Sequence, residues 1–145
     1  MSRHNYNDDS GSDWAMICWR GAVERAILGQ RGQQLLKELL HALDAMPVKC
    51  LIAEDLERDG LVCALGAVGQ ARGIEMSHLD PEEPEDIAAA FNIAPALARE
   101  IMYINDDRWY GLVQETDAAR FLRVRRWVCN QIPKEDQNKR ETPCE

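Results

Sequence analysis

The stretch EDIAAAFNIAPALAREIMYIN, residues 85–105, decides the fold. Ile87, Phe91, Ile93, Ala98 and Ile101 fall at offsets that let a helix, a tight turn and a second helix close on one core. Asn92 stands at the corner, where a residue that tolerates positive φ is useful. Pro95 falls in the first turn of the second helix, where its missing N–H costs little.

Outward from this pair, the pattern stays helical. Ser12 or Asp13 can cap a helix running to Leu28, with Ala15, Cys18, Trp19, Ala22 and Ala26 as its apolar stripe and Val23 and Ile27 beside it. Trp14 and Trp19 are read as core rather than as a stacking platform. A second helix spans residues 33–46, with Leu35, Leu36, Leu39, Leu40 and Leu43 on one face and Pro47 as its stop. The short connector makes the two an antiparallel hairpin. Residues 51–56 fit a short strand or a helical turn alike, and Asp59-Gly60 between apolar runs leaves room for at most one small β-hairpin near residues 51–63. CALGAVGQARG, residues 63–73, fits no phosphate-binding fingerprint. It reads as a short helix whose glycines permit close packing, ended by Gly73. Thr116 or Asp117 caps the last helix, which runs to Ile132 with Ala118, Phe121, Leu122, Val128 and Ile132 on its buried side. The expectation is a mainly α bundle of five to six helices over residues 12–132. A disordered tail is expected at residues 1–11 and a polar tail at residues 133–145.

Charge divides the chain. The formal net charge of the 145 residues is −8, which argues against a general duplex-DNA binder, since phosphate attraction supplies most non-specific affinity. Residues 75–86 hold Glu75, Asp80, Glu82, Glu83, Glu85 and Asp86 with no Lys or Arg. Helix-dipole capping accounts for Glu85 and Asp86 but not for Asp80, Glu82 and Glu83. An EF-hand loop would need an alternation of oxygen ligands and a central glycine that are absent, so no metal site is expected. These five residues (80, 82, 83, 85 and 86), with Trp109 and Tyr110 in the loop before the last helix, are the candidate surface for a basic protein partner. From Arg120 to Arg140 the balance reverses to +5, leaving −13 elsewhere. Arg120, Arg123, Arg125 and Arg126 either pair within the fold or touch phosphate or RNA, with Trp127 among them.

Catalytic chemistry is missing from the pattern. His4, His41 and His78 lie in a tail, on a helix and in the acidic stretch, and no serine has a nucleophile-elbow context. No cofactor motif is present, and the chain reads as not an enzyme. Cys18, Cys50, Cys63, Cys129 and Cys144 are scattered, without metal-ligand spacing. Cys18 and Cys129 are expected as buried, reduced thiols and Cys144 as an exposed one. With no signal-like or membrane-length apolar run, the expected location is cytoplasmic.

The spacing of residues 85–105 resembles a helix-turn-helix, although the presumed recognition helix offers only Arg99 and Glu100 among alanine and apolar residues. DWAMICWRGAV (13–23), LVCALGAVGQARG (61–73) and LAREIMYINDD (97–107) resemble small proteins carried by phages and prophages of proteobacteria. The resemblance spans most of residues 13–132 and brings no motif of known chemistry. It implies a context in which small acidic proteins inhibit a host protein, anti-CRISPRs among them. The expected function is therefore inhibition of a basic, nucleic-acid-handling defence protein. The alternative is a transcriptional regulator built on residues 85–105. Either is compatible with a homo-oligomer.

Overall fold

The computed structural model describes Arg3, residues 13–106 and residues 115–137. Helices α1 (Asp13–Leu28) and α2 (Gln30–Ala45) form the expected hairpin, broken at Gly29. The leucine stripe of α2 places Leu35, Leu36, Leu39, Leu40 and Leu43 entirely out of solvent. Burying each such side chain is worth about 1.5–3 kcal/mol relative to exposure. The two helices approach so closely that a β-carbon on Gly32 would lie 1.9 Å from the Ala26 carbonyl oxygen.

An irregular segment then leads into β1 (Glu57–Arg58) and β2 (Leu61–Val62), an antiparallel hairpin with Glu57 opposite Val62 and Arg58 opposite Leu61. Asp59 and Gly60 both have positive φ (54° and 82°), as a tight two-residue turn of this hand requires. The hairpin is stitched to the segment before it by Ile52 N–H donating to Val62 O (2.9 Å) and Cys63 N–H donating to Leu56 O (3.1 Å). Helix α3 (Ala64–Arg72) follows and ends at Gly73 in the left-handed region.

Helices α4 (Pro84–Phe91) and α5 (Pro95–Asp106) meet at Asn92, whose φ of 57° lets the chain turn as the sequence predicts. Their axes are bent by 107°. Helix α5 is central and packs against α1, α3, α4 and α6 (Asp117–Gln131), while α2 packs against α1, α3 and α6. Thr116 caps α6, its hydroxyl accepting from Ala119 N–H (3.1 Å). A single turn, α7 (Lys134–Gln137), follows in the stretch expected to be a polar tail. The mainly α architecture with one small hairpin is thus as expected, with this extra turn added.

Three expectations need correction. In α1 the buried face is centred on Val23 and Ile27, while Ala15 and Cys18 are exposed and Trp14 is 72% exposed. Apolar residues occur all around α1, so periodicity alone did not select a face. Ala118 and Leu122 are also exposed, because Phe121, Val124 and Val128 set the buried face of α6 and these two residues lie off it. Cys129 is buried as expected, but as a disulfide sulfur rather than a thiol; Cys18, Cys50 and Cys63 are free. No single helix among the described residues is long and apolar enough to cross a membrane.

Candidate functional site

The acidic stretch forms an exposed ridge leading into α4. Asp80, Glu82, Glu83, Glu85 and Asp86 are all exposed. Asp80 folds the turn by accepting from Glu82 N–H (2.9 Å), and Pro84 starts the helix at a position where a backbone donor is not needed. Glu85 is ion-paired to Arg99 on α5. Asp80, Glu82, Glu83 and Asp86 have no basic partner among the described residues. Upstream, the exposed carboxyl of Glu75 accepts from Ser77, which holds it below the usual carboxylate range. The ridge is therefore a set of solvated carboxylates available to a cation. Trp109 and Tyr110, the other candidates for this surface, lie outside the described residues.

The arginine helix is turned to a different use. Arg120 is buried: it donates to Leu51 O (2.9 Å) and to Asp117 Oδ1 (2.9 Å) and faces Glu115. Arg123 clamps Glu115 with two donors (2.8 and 2.9 Å) and also donates to the carbonyls of Ile104 and Asn105 at the end of α5. Arg125 reaches Asp44 on α2 (2.7 Å). Of the four, Arg126 alone is exposed. Of the two alternatives for these four residues, pairing within the fold is the one seen at Arg120, Arg123 and Arg125. Buried guanidinium groups require paired carboxylates, and Glu115, Asp117 and Asp44 supply them from within the fold.

The α4–α5 unit has a bend within the range of a helix-turn-helix. The second helix is not presented as a reader, however. Leu97, Ala98, Glu100, Ile101, Met102 and Asn105 are buried, and the half-buried Arg99 is held by Glu85. The unit closes the core.

At the C-terminal end of α5 the sequence reading missed a buried polar cluster. Asn105, fully buried, donates to Ile52 O (2.9 Å) and to Asp106 Oδ1 (2.8 Å) and accepts from Ala64 N–H (3.0 Å) at the start of α3. Asp106 accepts a two-pronged contact from Arg3, Nε to Oδ2 at 2.6 Å and Nη2 to Oδ1 at 2.9 Å. Glu54 N–H completes the set on Asp106 Oδ1 (3.1 Å), from a residue held at φ 70°. Arg3 falls in the stretch expected to be loose, yet it is 2% exposed.

Burial alone would push the Asp106 carboxyl up, but its hydrogen bond and charge interaction with Arg3, with help from Asn105 and Glu54, hold it below the usual range. Burial also works against the Arg3 charge, and Cys63 and Asp106 outweigh it. Because the folded state lowers the Asp106 pKa, the stabilisation is complete above its unfolded value of about 3.9 and is lost as pH falls through the folded one. Asp106→Asn leaves a buried guanidinium unpaired and is expected to cost about 3–5 kcal/mol at neutral pH. The gap between wild type and Asp106→Asn should narrow below about pH 4 in urea titrations. A gap independent of pH would show that the carboxylate charge is not what holds Arg3.

No group of His, Cys, Asp and Glu among the described residues has the arrangement of a metal site. Comparison of the chain with protein-family models, with curated proteins and with solved structures finds no match.

Proposed function

We propose that this chain is a non-enzymatic binding protein of the anti-CRISPR type, which inhibits a host defence protein by laying its acidic ridge in a groove built for phosphate. The observation that carries the reading is the ridge itself: five exposed carboxylates at residues 80–86, of which Glu85 alone has a basic partner among the described residues. Such a surface accelerates encounter with a basic groove and competes there with nucleic acid. The inward pairing of Arg120, Arg123 and Arg125 supports it, since those cations do not offset the ridge from the surface. The resemblance to phage and prophage proteins supplies the context of a host target.

The test is association kinetics at two salt concentrations with the partner captured from host lysate. Reversing Asp80, Glu82 and Glu83 to Lys should slow association by about tenfold or more and weaken its salt dependence, with the fold intact. Each exposed charge contributes only about 0–1 kcal/mol, so the triple change is needed. An unchanged on-rate in the folded triple variant would remove the ridge from the interface. The second reading, a transcriptional regulator using residues 85–105, draws on the 107° bend of α4 against α5. Burial of α5 counts against it, and a salt-dependent duplex-DNA gel shift would decide for it.

A further inference from the structure

Helix α1 carries two apolar faces, and the core covers one of them. Val23 and Ile27 are turned inward. Trp14, Ile17, Cys18, Gly21 and Leu28 fall on the opposite side of the helix, at the spacing of a continuous stripe. Trp14 is 72% exposed, Ile17 61% and Leu28 70%, and Cys18 is exposed beside them. Large apolar side chains in one exposed row mark a surface that meets another. Gly21 lies in the middle of this row. A glycine inside a helix weakens it relative to alanine, and the core does not require one here. Beyond the helix's own backbone, a β-carbon at Gly21 would meet Nη1 of Arg25 at 3.2 Å and no other described atom within 4 Å. That atom is the movable end of an exposed side chain. At Gly32 and Gly66, by contrast, a β-carbon would strike backbone. Gly21 thus leaves a notch in the stripe, about two turns from the Trp14 indole and floored by a guanidinium.

We propose that this face of α1 is where two copies of the chain pair, with the helices antiparallel and the Trp14 indole of each copy over the Gly21 notch of the other. The occupant is a second copy because the stripe is complementary to itself. One bulky ring and one missing side chain, seven positions apart on one face, satisfy each other reciprocally about a two-fold axis, as an isologous interface requires. A parallel pair would set ring on ring and notch on notch. The axis of the antiparallel pair falls between Ile17 and Cys18, so the two Cys18 thiols come close to one another. Charge agrees with this arrangement. Arg25 forms no ion pair among the described residues and lays its guanidinium on the notch, where the face of the arriving indole makes a cation–π contact. A basic protein would meet the same guanidinium with repulsion, so this face is not the one that serves the target of the acidic ridge. Two such stripes bury on the order of 1,000 Å² in total, the low end for a specific interface, and the dimer is expected at micromolar concentrations and above.

The test is sedimentation velocity on the full chain across concentrations from about 1 to 300 μM, where a monomer–dimer equilibrium with Kd of about 10–100 μM is expected. Ile17→Glu sets a carboxylate beside its own copy at the axis and should weaken the dimer about tenfold or more. Gly21→Leu fills the notch and should weaken it about as much, while the melting temperature holds or rises, since leucine favours the helix and only Arg25 has to move. Both positions lie off the core, and circular dichroism checks that both variants are folded. A short bismaleimide should couple two copies of the unmodified chain, and Cys18→Ser should abolish the product. A monomer throughout the range, a dimer indifferent to Ile17→Glu, or coupling that does not run through Cys18 would each overturn the proposal. So would a dimer tightened by Gly21→Leu, which is the mark of apolar adhesion without the notch. No other protein enters the assay, so its outcome is separate from that of the ridge variants.

Discussion

Asn105→Ala is expected to lower stability by about 3–5 kcal/mol, among the largest losses a single substitution in this chain can cause. The side chain is fully buried and serves three segments at once: Ile52 before the hairpin, Ala64 at the start of α3 and Asp106 at the end of α5. Truncation strands the Ala64 N–H and the Ile52 carbonyl away from solvent, and each unsatisfied group costs about 1–3 kcal/mol. Asn105→Asp is expected to be no better. It keeps an acceptor for Ala64 but loses the donor to Ile52 and sets a second carboxylate against Asp106. Equilibrium urea unfolding checks this. The midpoint should fall with an unchanged slope. A loss below about 1 kcal/mol would mean that the three segments are held by packing and that the amide is dispensable.

Gly66→Ala is the second large effect, at about 3 kcal/mol. A β-carbon there would lie 2.0 Å from the Leu56 carbonyl oxygen and 3.0 Å from Val62 Cβ. The carbonyl cannot rotate away, since it accepts from Cys63 N–H (3.1 Å). Gly69 in the same helix and Gly73 at its C-cap give the control. At Gly69 the closest atom is Met76 Sδ (2.4 Å), the far end of a flexible side chain, with Phe91 Cζ at 3.2 Å. Gly69→Ala is expected to cost about 1 kcal/mol, part of it offset by the better helix propensity of alanine. Gly73 has open space around it but φ 72°, so its alanine variant carries backbone strain of about 1 kcal/mol and no clash. The ranking Gly66 far above Gly69 and Gly73 is the readout, again from urea midpoints. Equal losses would show that helix α3 shifts as a body instead of being locked against Leu56.

The parts of this fold that were legible in the chain are those where one residue has one local job. Asn92 and Asp59-Gly60 were readable because positive φ narrows the choice of residue. Thr116 was readable because a hydroxyl before an apolar run has a donor waiting. The leucines of α2 repeat on one face, so their burial followed from spacing. Helix α1 was misread because its apolar residues encircle it, and only its packing against α2 and α5 decides that Val23 and Ile27 are inside while Trp14 and Ile17 are out. The polar cluster was illegible for a related reason. Arg3 sits in a run of Asn, Asp and Ser, and nothing local distinguishes it from a solvated tail; its partner is fixed only by tertiary structure. The arginines of α6 were seen as cations, but whether a guanidinium faces solvent or Asp44 depends on how α6 lies across α2. In the acidic ridge, the sequence was sufficient to expect carboxylates without neighbouring cations. Only the Glu85–Arg99 pair required the α4–α5 turn to be built first.

The distance along the chain between Arg3 and Asp106 also fixes an order of events during synthesis. At about 5–20 residues per second, the 103 positions that separate Asp106 from Arg3 take about 5–20 s to emerge, and Arg3 has no acceptor until they have. Closing a loop of that length costs about 4 kcal/mol of chain entropy, which local contacts such as the α1–α2 hairpin do not face. The hairpin and the α4–α5 turn can therefore form while the leading end of the chain is still unattached. The nascent protein passes through an interval in which Arg3 has emerged and the Asp106 carboxylate that will receive it has not yet been made.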